Sequence, residues 1–92
     1  MRAWDIQISV GLPCQCANAA RRVLRERLAP WRRAVITEVD DLTLQLTVTT
    51  DEIPREAAQD VSQYLVAAVQ STLAQHELPD ATMSITQFEP AS

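Results

Sequence analysis

The chain has no lysine, one glycine (Gly11), one histidine (His76) and four aromatic residues among its 92. Each shortage excludes something. A single glycine rules out a glycine-rich phosphate cradle, and with one histidine and two cysteines no four-ligand zinc site of nitrogen and sulfur donors can be assembled. Cys14 and Cys16 are one residue apart, too close to tie distant parts of a fold together, so a disulfide-stapled scaffold is excluded and any cysteine chemistry is local. No apolar run approaches the roughly 20 residues of a membrane-spanning helix. The opening MRAWDIQISV alternates where a signal peptide would be continuously apolar, which makes the cytoplasm the expected location. Every basic side chain is arginine, a residue suited to ion pairing, and the charge is uneven. Residues 1–36 carry seven arginines against Asp5 and Glu26, whereas residues 37–92 carry Arg55 against ten acids.

What is present is the composition of a globular domain, 47% hydrophobic and 22% charged, with a core that must be mainly aliphatic. Trp4, Ile6, Ile8 and Val10 alternate with Asp5, Gln7 and Ser9, the period of a strand buried on one face, and Gly11 ends the run. Pro13 is placed to open a helix over residues 13–29, with Ala17, Ala20, Val23, Leu24 and Leu28 at helical spacing before Pro30. Two β-rich runs, 32–39 and 42–50, flank Asp40-Asp41 and predict a tight hairpin. With that loop Val39 faces Leu42, Thr37 faces Leu44 and Val35 faces Leu46, which sends Ile36 to the opposite, open face. A long helix from about Pro54 to Glu77 follows, its buried stripe Ala58, Val61, Leu65, Ala68, Val69 and Thr72, and a last strand, 81–88, turns Met83 and Ile85 inward.

The order strand, helix, strand, strand, helix, strand resembles the ferredoxin-like fold: one α+β domain over residues 1–92, a four-stranded antiparallel sheet with two helices on one face. That fold hosts many functions, so function must come from sites.

Three places are candidates. The first is Gly11-Leu12-Pro13-Cys14-Gln15-Cys16, at the first strand-to-helix turn, where a helix N-terminus favours thiolate. Over these residues the chain resembles the metal loop of heavy-metal-associated domains, which share this fold order and place Gly-Met-x-Cys-x-x-Cys at the same turn. Leu12 stands in for the methionine, and the cysteine spacing is shorter by one. If the helix already includes Cys14, the two side chains point about 200° apart, with Cys16 in the buried stripe as a small hydrophobe and Cys14 in solvent. If the turn is unwound through Cys16, both sulfurs can converge on a soft metal.

The second is the arginine cluster Arg21, Arg22, Arg25, Arg32 and Arg33, with Arg27 projecting towards the buried stripe and snorkelling out near the helix end. Nucleic acid is not the expected partner. The chain is acidic, and its open sheet face offers Gln7 and Gln45 where stacking aromatics would be needed; a solvated face paired with acids of the second helix or a neighbouring copy is the simpler account.

The third is the second helix, which carries no charged residue from Val61 to Gln75. Its outward side reads Gln59, Gln63, Ala67, Gln70, Ser71 and Ala74, flanked by Val66 and Leu73. Depletion of charge is a mark of interface cores. A homodimer or small homo-oligomer formed there, or through the open sheet face with Ile36, is the leading expectation, beside an ordinary solvated glutamine-rich face. No membrane partner and no cofactor are called for. His76 falls in the last turn of its helix, where a capping role suits it, and the acidic pairs Asp40-Asp41 and Asp51-Glu52 suit a hairpin tip and a helix start. With no catalytic constellation, a non-enzymatic assembly or interaction module is the first expectation, and a thiol or soft-metal site at Cys14 and Cys16 the second.

Overall fold

The computed structural model describes residues 1–30 and 33–91. The elements run β1 (Trp4–Gly11), α1 (Ala17–Arg27), β2 (Ala34–Asp40), β3 (Thr43–Thr49), α2 (Arg55–Gln75) and β4 (Thr82–Pro90). The expected start of the second strand at residue 32 lies outside the described residues. The four strands form one antiparallel sheet in the order β2-β3-β1-β4, and the domain is α+β with the ferredoxin-like topology.

The alternation read in β1 and β3 is the pattern of burial. Ile6, Ile8 and Val10 pair with Val48, Leu46 and Leu44, and all six are essentially fully buried under the two helices. Ala17, Ala20 and Leu24 of α1, with its C-cap residue Leu28, close the core on one side, and Leu65, Val69 and Leu73 close it from α2. On α2 the stripe is shifted from the predicted one: Ser62 and Leu73 are buried, and Val61 and Ala68 lie at the margin. Ser62 and Thr72 enter the core by donating their hydroxyls to the Gln59 and Ala68 carbonyls, at 2.7 Å each, so neither hydroxyl is left unpaired.

The hairpin register differs from the expected one. Glu38 pairs with Leu44 and Asp40 with Thr43, so Val39 is an extra, bulged residue and the two-residue turn is Asp41-Leu42. Asp40 sets that turn, its carboxylate accepting the Leu42 N–H at 2.8 Å. Beyond the bulge the faces are exchanged: Ile36 pairs with Leu46 and packs on the core, whereas Val35 sits opposite Thr47 on the open face, 59% exposed.

A second bulge, at Thr86, changes the phase of β4. Ile85 pairs with Ile8 and faces the core side as expected, yet it is 43% exposed on this edge strand. After the bulge Phe88 pairs with Ile6, which turns it inward to stack on Trp4 with ring centroids 5.2 Å apart. Trp4 closes this end of the core: its indole N–H donates to the Ile53 carbonyl and its backbone N–H to the Thr50 hydroxyl, both at 3.0 Å.

Helix α2 ends in a Schellman motif. The Leu78 N–H donates to the Leu73 carbonyl at 2.8 Å and the Glu77 N–H to Ala74 at 3.3 Å, with Glu77 in the left-handed conformation at φ 67°. His76 is the C-cap residue.

Candidate functional site

β1 leads directly into the cysteine turn, and the β2–β3 hairpin tip supports it from the side. Leu12, buried, donates its N–H to the Leu42 carbonyl at 2.8 Å, and Ala17, also buried, donates to the Asp41 carbonyl at 3.3 Å. Between these two anchors Pro13, Cys14 and Gln15 are exposed and Cys16 is half-buried against the core. The expected helix start at Pro13 is wrong by four residues. Within the turn the Cys16 N–H donates to the Cys14 carbonyl at 2.8 Å, a contact between residues two apart that a helix cannot make.

That unwinding brings the sulfurs together. Cys14 and Cys16 form a disulfide with their Cα atoms 5.3 Å apart, and among the described residues no cysteine is free. The divergent arrangement expected of a helix is replaced by convergence, with Cys14 exposed and Cys16 half-buried against the core. Cys16 is also the N-cap residue of α1, with φ −128° and ψ 23°, and it makes no side-chain cap bond. No acidic residue occupies the first turn of α1, and the Asn18 and Ala19 N–H groups have no acceptor among the described residues. The positive end of this helix is therefore open beside the disulfide. Among the described residues no group of three or more histidine, cysteine or acidic side chains is placed to hold a metal ion.

Arg21 Nε lies 3.1 Å from the Glu38 carboxylate of β2, a charge contact without the direction of a hydrogen bond, and the partner is a strand where the second helix was expected. Arg22, Arg25, Arg27 and Arg33 are exposed, with Arg27 lining an open cleft beside Val23 and Thr72 near the end of the helix; Arg32 lies outside the described residues. On the open sheet face the Gln45 amide donates to Gln7 at 3.0 Å and the Thr49 hydroxyl to Asp5 at 2.7 Å, which ties the polar side chains of β1 and β3 to one another.

On α2, Gln63, Ala67, Gln70 and Ala74 are exposed, together with Tyr64 at 56%. Val66 is half-buried, and Leu73 is fully buried with no part in the outer face: it lies four residues from Val69, on the core stripe. Ile36 likewise belongs to the core margin and not to the open sheet. Two open clefts, of about 460 and 530 Å³, flank Pro30 near the C-terminal end of α1, away from the cysteine turn; Glu26, Arg27 and His76 line the first and Arg33 and Asp51 the second.

No helix among the described residues is long and apolar enough to cross a membrane. The disulfide itself was the part missed from sequence; the signal available for it was the bare spacing of Cys14 and Cys16 in a turn that need not be helical. Compared with family models, curated proteins and solved structures, the chain matches none, and the site is read from its own chemistry.

Proposed function

We propose that this domain is a thiol–disulfide exchange module whose working group is the Cys14–Cys16 pair. The observation that carries the reading is the disulfide on an exposed turn at the open N-terminus of α1. A bond closing three residues restricts the unfolded chain by only about 1.6 kcal/mol in the loop-entropy account, against about 3 for a 15-residue loop, so it is a poor staple. Its value is chemical. Reduced, the pair passes two electrons and two protons to a partner disulfide, giving two partner thiols and the closed ring; oxidised, it runs the same exchange in reverse against partner thiols. Placing the domain in the cytoplasm belongs to the same proposal, since disulfides there are mostly transient and functional.

The test is thiol titration and intact mass of the protein across glutathione redox buffers. The expected result is a reversible gain of two hydrogens and two titratable thiols on reduction. Two thiols that stay free in oxidised glutathione would overturn the reading.

A second reading, self-association through α2, is favoured by Tyr64 standing exposed among Gln63, Ala67, Gln70 and Ala74 in the stretch from Val61 to Gln75, which carries no charged residue. Sedimentation at high micromolar concentration should then show a dimer that Ala67→Glu dissociates, and a strict monomer removes it.

A further inference from the structure

The two sulfurs are not equivalent, and the difference gives the exchange a direction. The inference rests on the redox reading above. Cys14 is exposed, whereas Cys16 packs against the core and holds the N-cap position of α1. An incoming thiolate therefore reaches Cys14 first. The sulfur it displaces is released at the positive end of a helix, where an anion is stabilised and thiolate is the better leaving group.

We propose that Cys14 is the sulfur attacked by partner thiols and that Cys16 is the leaving group, whose thiolate then caps α1. The partner sulfur forms a bond to Cys14 Sγ, the Sγ–Sγ bond breaks, and its electron pair departs on Cys16 Sγ. The product is a mixed disulfide on Cys14 and an anion on Cys16, with no other oxidant or reductant consumed. A second partner thiolate then bonds to the partner sulfur of the mixed disulfide, the bond from that sulfur to Cys14 Sγ breaks, and the products are the partner's disulfide and a thiolate on Cys14.

The missing cap is part of the same device. Bonded to Cys14, Cys16 sits at ψ 23°, away from the extended backbone from which a cap side chain reaches the second and third N–H groups of a helix. Those groups belong to Asn18 and Ala19, which have no acceptor among the described residues. Opening the disulfide frees Cys16 to turn towards them, so the order of the first turn of α1 reports the redox state.

The experiment treats the oxidised full chain with glutathione, quenches with acid, alkylates and maps both cysteines by tandem mass spectrometry. Glutathione on Cys14 and the alkyl group on Cys16 is the expected product; an adduct mainly on Cys16, or an even split, overturns the assignment. Amide exchange gives the second arm. Exchange at Asn18 and Ala19 should slow about fivefold on reduction of the wild type, and in Cys14→Ala, relative to Cys16→Ala, from the usual strength of an N-cap. Equal exchange in the two variants overturns the capping step. A chain whose thiols never close fails the redox reading itself, whereas a reversible couple with its adduct on the wrong sulfur fails only this assignment.

Discussion

Reduction of the Cys14–Cys16 bond should leave the domain nearly as stable as before. Opening a three-residue ring returns about 1.6 kcal/mol of chain freedom to the unfolded state. Against this, the freed Cys16 supplies the side-chain cap that α1 lacks in the oxidised protein, and a good N-cap contributes about 0.5–2 kcal/mol. The net loss is then roughly 1 kcal/mol or less. The rest of the core is untouched, because Leu12 and Ala17 hold the turn through backbone bonds to Leu42 and Asp41 that do not involve sulfur. Urea denaturation with and without a phosphine reductant measures the difference, and thermal unfolding should shift by no more than about 4–8 °C for a domain of this size. Cys16→Ala, which removes bridge and cap together, should be less stable than Cys14→Ala by about 1 kcal/mol. A loss above about 3 kcal/mol on reduction, in the range seen when a structural disulfide is removed, would refute the reasoning and make the bond a staple after all.

The hairpin register predicts opposite outcomes for neighbouring residues: Ile36→Asp, on the core side, should cost more than about 2 kcal/mol, whereas Val35→Asp on the open face should change stability by less than about 0.5. Urea midpoints in the reverse order would restore the unbulged register. Glu77→Gly should stabilise by about 0.5–1 kcal/mol, because Glu77 holds φ 67° at the helix terminus where glycine is at ease, and a lower melting temperature would count against the Schellman assignment. Arg21 and Glu38, each about one-third exposed, should couple by less than about 1 kcal/mol in a double-mutant cycle, and by less still in high salt. A coupling well above that would mean a desolvated pair.

The fold was legible because each element repeats its signal. In β1 and β3 the apolar residue recurs every second position, and any slip would expose all of them at once. What failed was the placement of single residues beyond an irregularity. Asp40 looks like half of a hairpin tip, but its carboxylate takes the Leu42 N–H and moves the turn to Asp41-Leu42. The extra residue is absorbed at Val39, and Ile36 changes face. The same happens at Thr86, whose bulge carries Phe88 to the core side beneath Trp4. A bulge leaves no periodic trace in sequence, because it is one residue long and is chosen by the burial of what lies beyond it.

The cysteine turn shows why the site was harder to read than the fold. From sequence the decisive question was where α1 begins, since two residues two apart diverge on a helix and converge on a turn. Pro13 is well suited to the first helical position, and that preference argued for the early start. The tertiary structure outweighs it through contacts from a distant part of the chain. Asp41 accepts the Ala17 N–H and Leu42 accepts the Leu12 N–H, so both ends of residues 12–17 are fixed against the hairpin tip. The turn between them must bow outward, with Cys14 exposed and Cys16 on the core. The hairpin whose register was misread is thus what holds the two sulfurs together. If so, lengthening its tip should disturb the redox couple of Cys14 and Cys16 while leaving the β1–β3 core pairs intact. Insertion of one glycine between Asp41 and Leu42, followed by the same glutathione titration, checks this: an unchanged couple would show that the ring alone fixes the turn.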